Sequence, residues 1–329
     1  KLGRTVKASS MKNPQTLFGL AVIAFSALTG SVIADDLVKM TIGQRGNWDT
    51  AITHLGEKAG IFKKHGLELE MIYTSGSGET LQPVIAGGVD LGLAVGTLGA
   101  MAAYSKGAPV RIVGAQATGA ADYWYAKNPA IKTLKDTNGY IIAYSSNGSS
   151  THSVVRAFID EYKLTGAKTQ TTGSPSATLT AVMTDQVDVG WASPPFGLKE
   201  IEEGKIHIVA KATDAALVRG QTIRVLVANA KVLKDRKDVL ERFMRAYRES
   251  IDYMYSDSPQ VIKDYAEFAR VPEAMAKRVQ DEFFPKTLVN PDQIHGLDTL
   301  IPEAVNLKFI PAPLSKEQIV ELIQIPPRK

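Results

Sequence analysis

The chain has 329 residues, 44% of them hydrophobic and 22% charged, with no cysteine. That length suits two lobes of roughly 100–200 residues rather than one small domain. The composition excludes a disordered chain, and the missing cysteine excludes disulfides, a thiolate nucleophile, a cysteine metal site and a lipid-modified cysteine.

The formal charge of +4 is unevenly spread: residues 1–34 hold Lys1, Arg4, Lys7 and Lys12 and no acid. The rest of the chain is therefore close to neutral and offers no basic face to nucleic acid. Those bases precede an apolar run at 17–28 (LFGLAVIAFSAL) and the small residues 29–34 (TGSVIA). A basic start, a short apolar core and small residues before a cut describe a secretory leader. Cleavage is expected after Ala34, with Val32 and Ala34 at the −3 and −1 positions, and Met11 is a more usual start than Lys1. The apolar run is too short for a membrane span, which needs about 20 residues.

Beyond the leader, residues 37–43 (LVKMTIG) alternate apolar and polar positions and predict a strand. A helix is expected over 49–59, a strand over 67–73 (LELEMIY), a helix over 79–86, a buried strand over 89–95, a helix over 98–106 and a strand over 110–117. The pattern restarts with a strand at 140–144, a helix at 152–162, a helix at 177–183 and strands at 187–192 and 206–210. Strands alternating with helices predict βαβ units and mostly parallel sheets. From Leu233 onward the chain reads as helices, at 235–255, 259–268, 272–283 and 315–323, with Pro259 and Pro272 at starts where proline is tolerated.

An internal echo supports duplication. Residues 74–94 overlie 172–192 without a gap, matching Thr74 with Thr172, Leu81 with Leu179, Val84 with Val182, Val89 with Val187, Asp90 with Asp188, Gly92 with Gly190 and Ala94 with Ala192. Each copy reads as a Gly/Ser loop, a helix, a turn, Val-Asp and a strand ending in small residues. Two lobes of one architecture would meet at the C-terminal ends of their strands, where α/β sheets bind ligands.

Residues 54–66 (HLGEKAGIFKKHG), the strand that follows, Gly76–Glu79 and residues 86–92 (AGGVDLG) resemble the opening of ABC-importer solute-binding proteins of the sulfonate, taurine, nitrate and thiamine-precursor-binding type. Residues 131–136 (IKTLKD) resemble that family's entry into its second lobe. The resemblance spans roughly 37–270 and implies an α/β, two-lobed type II periplasmic-binding-protein fold: each lobe a mostly parallel sheet flanked by helices, with added C-terminal helices. Lobe 1 would be 35–118 and 222–329, and lobe 2 would be 119–221. It implies a periplasmic, monomeric protein that closes on a small-molecule ligand and hands it to an ABC permease in the inner membrane, with no cofactor and no reaction of its own. Related groups that perform chemistry rely on cysteines, which this chain lacks. A periplasmic ligand sensor and an enzyme on the same fold are the alternatives.

Candidate site residues lie where strands end. Trp48, Trp124 and Trp191 fall at strand ends or crossings, and with Tyr123 they are expected to line the pocket more than to fill the core. Two polar loops precede helices: Ser75, Gly76, Ser77 and Gly78 before one, and Ser145, Ser146, Asn147, Gly148, Ser149, Ser150 and Thr151 before the other. Free N–H groups at a helix start receive anions, although N-capping alone would use one hydroxyl. Gly96 and Thr97 after one Val-Asp strand, Ser193 after the other, and Asn47 after the first strand complete the set; Gln44, Asp49, Arg45 and Arg224 are nearby candidates. Helix starts argue for an organic anion such as a sulfonate, and the aromatic residues for a flat portion, as in an aromatic carboxylate.

Asp90 and Asp188 are not expected to be catalytic, because each precedes its strand, at the end away from the cleft. No two of the five histidines have metal-ligand spacing, and no P-loop, nucleophile elbow or dinucleotide fingerprint occurs.

Overall fold

The computed structural model describes residues 35–328, so the expected leader lies outside the described residues. The first strand, Asp36–Gly43 (β1), buries Val38, Met40 and Ile42 and exposes Leu37 and Lys39, the alternation its sequence carries. Helix Ile52–Lys58 (α1) occupies the later part of the helix expected over 49–59 and stops before Gly60, which is in the left-handed region at φ 74°, and a short helix that was not expected, Ile61–Lys64 (α2), follows it. Next come Leu67–Thr74 (β2), Ser77–Ala86 (α3), Leu91–Gly96 (β3), Thr97–Ser105 (α4) and Val110–Thr118 (β4).

The chain then crosses into a second sheet built from Tyr123–Ala126 (β5), Ile141–Tyr144 (β6), Ser150–Tyr162 (α5), Lys168–Thr171 (β7), Pro175–Met183 (α6), Val189–Ala192 (β8), Leu198–Glu202 (α7) and His207–Lys211 (β9). It returns through Thr222–Asn229 (β10) and finishes in helices Ala230–Asp235 (α8), Lys237–Met254 (α9), Pro259–Ala269 (α10), Glu273–Phe283 (α11), Leu297–Asn306 (α12) and Lys316–Leu322 (α13).

The sheets run β2-β1-β3-β10-β4 and β7-β6-β8-β5-β9. Replacing each of the first four strands by the strand five places later, and β10 by β5, turns one order into the other. In each sheet the strand entering by a crossing is antiparallel to both neighbours: β10 between β3 and β4, and β5 between β8 and β9. The remaining pairs are parallel. Both sheets are therefore mixed, with one reversed strand in five, and each half donates one strand's place to the chain coming from the other.

The sequence echo falls on equivalent atoms. Thr80 Oγ1 lies 2.6 Å from Thr74 Oγ1 and donates to Gly76 O at 3.0 Å; Thr178 Oγ1 lies 2.6 Å from Thr172 Oγ1 and donates to Ser174 O at 2.9 Å. Asp90 accepts from Lys39 N at 3.0 Å and Asp188 from Ile141 N at 2.8 Å. Each aspartate clamps the start of its own strand to the neighbouring parallel strand, which places both at the sheet edge opposite the cleft.

Helix α9 has the i, i+3, i+4 apolar spacing of a core-facing helix: Leu240, Phe243, Met244, Tyr247, Ile251 and Met254 are all buried. It packs on α1 and α2, while α12 packs on α4 and α13 on β4. Residues 119–122 and 212–221 form the two crossings, tied by Gly119 N donating to Gln221 O at 2.8 Å and Ala212 N donating to Asp122 O at 2.9 Å.

Candidate functional site

The C-terminal ends of the parallel strands of both sheets converge on one cavity, lined by Gly43, Gln44 and Asn47 after β1, Gly76 and Ser77 at α3, Ala94 on β3, Asp122 in the first crossing, Ser145, Ser149, Ser150 and Thr151 at α5, Trp191 on β8 and Arg224 on β10. It leaves about 20 Å³ for the centres of water-sized groups, room for one or two waters. The two halves touch around it. A Cβ on Gly96 would sit 2.2 Å from Gly148 O, one on Gly99 2.9 Å from the same oxygen, and one on Gly76 3.2 Å from Ser146 Oγ. Glycine at these places lets backbone from one half approach backbone and hydroxyl of the other.

Both helix N-termini that reach the cavity are built for it. In α3, Gly76 is the cap, and Ser77 Oγ accepts from Gly96 N at 2.7 Å. In α5, Ser149 caps by accepting from His152 N at 3.2 Å, and Ser145, Ser149 and Thr151 join in one hydroxyl network. The loop is stiffened from behind by His152, which stacks on Tyr144 with ring centroids 4.4 Å apart and meets the edge of Phe309 at 5.6 Å. Burial and the nearby Arg156 push the His152 pKa down to about 4, so the ring is neutral at pH 7, and its Nδ1 lies 3.2 Å from Gly148 N as acceptor. The first-turn N–H groups of α3 and α5 have no helical partners, and the helix dipoles put partial positive charge there.

Arg224 is 5% exposed and sits between two buried carboxyls, donating to Asp49 at 2.8 Å and Asp122 at 2.5 Å. Burial pushes the Asp49 carboxyl up, against the pull of Arg224. The triad joins the loop after β1, the first crossing and the return strand.

Several buried polar atoms here have no partner: Asn47 Oδ1 and Nδ2, Asp49 Oδ1, Ser146 Oγ, Trp191 Nε1, Ser193 Oγ and Arg224 Nε. Buried polar groups are otherwise almost always satisfied, and three of these residues, Asn47, Trp191 and Arg224, line the one cavity, which marks it as a place for something else to bind. Gln44 at φ 58° and Ala94 at φ 61° are non-glycine residues in the left-handed region, and both line the cavity; strain of this kind persists where the surroundings over-determine it, as at ligand sites.

Of the residues singled out from the sequence, Asn47, Gly76, Ser77, Ser149, Ser150, Thr151 and Trp191 line the cavity. Gly96 and Gly148 form the contact beside it, and Ser146 and Ser193 hold unpartnered hydroxyls. The structure seats the other two tryptophans in the core instead. Trp48 is fully buried, edge-on to Tyr265 and Tyr255, with its N–H donated to Tyr255 Oη at 2.9 Å. Trp124 is edge-on to Phe158 and donates to Ala143 O at 2.9 Å.

Four more candidates are engaged elsewhere. Tyr123 donates to Phe196 O, Thr97 to Thr222 O at 2.5 Å, Ser75 N to Glu79 at 2.9 Å, and Asn147 accepts from Tyr144 at 2.7 Å. Gly78 has open space around it. Ser145, the first residue of the second polar loop, also lines the cavity. Asp122 was not singled out: a lone acid before an aromatic strand carries no local signature of a buried ion pair.

Two mixed sheets exchanging strands through paired crossings, with a polar cavity where their parallel strands end, define a two-lobed periplasmic-binding-protein fold. The chain belongs to the NMT1/THI5-like family, whose model matches residues 47–260. It is similar to the periplasmic aliphatic sulphonate binding protein SsuA of Escherichia coli, at 17% identity over 89% of this chain and 94% of that one with a TM-score of 0.69. It is also similar to the alkanesulfonate-binding protein SsuA of Xanthomonas axonopodis pv. citri bound to MOPS, at 16% over 89% and 100% with a TM-score of 0.70. The periplasmic nitrate-binding protein NrtA of Synechocystis PCC 6803 matches at 12% over 88% and 86%, also at 0.70. No curated protein matches the chain.

Proposed function

We propose that this protein is the periplasmic solute-binding component of an ABC importer, exported by its leader, which captures a small organic anion by lobe closure and delivers it to an inner-membrane permease. The observation that carries this reading is the convergence of two helix N-termini, one from each half, on a cavity ringed by unpartnered buried donors. Sulfonate and nitrate binders share the fold, which supports an anionic solute. The cavity as it stands holds one or two waters, so an organic anion enters with the lobes parted and the lining loops give way around it as the lobes close, the closed state being favoured through contacts made only there. The lining of amides, hydroxyls, an indole and a neutralised arginine suits binding without turnover.

The test is a thermal-shift screen of residues 35–329 against sulfonates, carboxylates, aromatic acids and nitrate. A ligand of the folded form adds about 2.7 kcal/mol of stability at 100 times its dissociation constant. A shift with one anion class supports the reading; chemical conversion of the bound compound by the protein alone refutes it.

A further inference from the structure

We infer, building on the small-anion reading above, that the solute carries an N–H donor group beside its anionic end, and that Asn47 reads this group and discriminates against bare oxyanions. Asn47 is fully buried, lines the cavity, and has neither Oδ1 nor Nδ2 engaged. Its loop is fixed: Thr50 Oγ1 donates to the carbonyls of Gln44 at 2.7 Å and Asn47 at 3.1 Å, and Tyr265 Oη donates to Gly46 O at 3.0 Å. A primary amide presents an acceptor and donors together, and turning it over exchanges their places without changing the inventory. A solute made only of acceptors would satisfy Nδ2 and leave Oδ1 desolvated and unpaired, which disfavours its binding.

The charge around the cavity points the same way. Arg224 is the only cation among the residues lining it, and both of its terminal nitrogens are held by Asp49 and Asp122. With both carboxyls ionised the triad sums to −1, and with one protonated it sums to zero; in neither state is a positive charge left for a bare oxyanion. The anionic end is left to the starts of α3 and α5, Trp191 Nε1 and the one unpartnered N–H of the charge-compensated Arg224, at Nε, while Asn47 Oδ1 takes a donor. A site built to hydrogen-bond an N–H rejects an analogue lacking it far more strongly than a site that merely accommodates the extra group.

The test is isothermal titration of residues 35–329 with matched pairs: propanoate and 3-aminopropanoate, propanesulfonate and 3-aminopropanesulfonate, benzoate and 4-aminobenzoate. The expected result is that an amino member binds at least tenfold tighter than its parent. That preference should fall to near parity in Asn47→Leu and persist in Asn47→Asp, which keeps the acceptor. Parent anions binding as tightly as their amino partners overturn this inference and leave the small-anion reading standing. A preference retained in Asn47→Leu, or lost in Asn47→Asp, overturns the assignment to Asn47. Binding by no member of any pair overturns both readings.

Discussion

Replacing Glu303 with glutamine should stabilise the protein at pH 8 and change it little at pH 5. Glu303 lies on α12, is 6% exposed, and has no counter-ion: Oε1 is unpartnered and Oε2 is 3.5 Å from Gln221 Nε2, a long contact for a hydrogen bond. Burial, together with the negative charges of Asp160 and Glu161 at the end of α5, outweighs the Gln221 contact and pushes its pKa up to about 7 from the ordinary 4.5. Folding therefore holds a proton that the unfolded chain releases. Stability from this residue is fully present below about pH 4.5, is lost as the pH rises to about 7, and stays lost above it.

The displacement corresponds to roughly 3 kcal/mol. Glutamine cannot ionise, so its advantage should approach about 3 kcal/mol at pH 8 and fall below about 1 kcal/mol at pH 5. Urea unfolding of residues 35–329 at both pH values, followed by circular dichroism, measures the difference. An equal effect at the two pH values, or none at pH 8, would refute the reasoning.

Arg224→Met should cost about 3–5 kcal/mol in the same urea assay, because it strands two buried carboxyls; a loss under about 1 kcal/mol would show that the triad contributes little to folding. Gly99→Ala should weaken the bound solute at least tenfold, since its Cβ would meet Gly148 O at 2.9 Å when the halves close; titration giving unchanged affinity would show that this contact does not limit closure. Trp191→Phe should remove most of the solute-induced fluorescence change and weaken binding about 5–10-fold, the worth of one donor, because Trp48 and Trp124 are core residues with paired N–H groups. A fluorescence response that survives in the variant would place another tryptophan at the solute. Thr80→Val and Thr178→Val should each cost about 1 kcal/mol in urea unfolding, and values differing by more than that would show that the two repeat units are not energetically equivalent.

Most elements that alternate strongly were legible in the sequence to within a few residues. The strands ending at Gly43, Thr74 and Gly96 and the helices ending at Ala86 and Tyr162 are set by local periodicity and by glycine or cap residues, which act over a few positions. The strands that went unread are those whose identity depends on distant partners. All eight residues of β10 are buried, so TIRVLVAN shows no alternation, and its reversed direction follows only from its place between β3 and β4. All four residues of β7 are exposed, and polar KTQT becomes a strand because β6 offers it an edge.

The site divides in the same way. The polar loops before α3 and α5 announced themselves, because anion-receptive helix starts need small hydroxyl residues and glycine in consecutive positions. The tryptophans did not separate: in the sequence pattern all three fall at strand ends or crossings, and which of them faces the cavity depends on whether the indole N–H finds a partner in its own core, as it does for Trp48 and Trp124. The sequence by itself determined the duplicated βαβ units, the polar helix starts and the absence of cysteine chemistry, since these are properties of residue type and short spacing. Only the tertiary structure decided that Asp49, Asp122 and Arg224 neutralise one another, that Asn47 keeps a free amide, and that glycines seal the halves together. Those facts join residues as much as 175 positions apart, and burial, which gives an ion pair or an unpaired amide its energetic weight, exists only once the chain has folded.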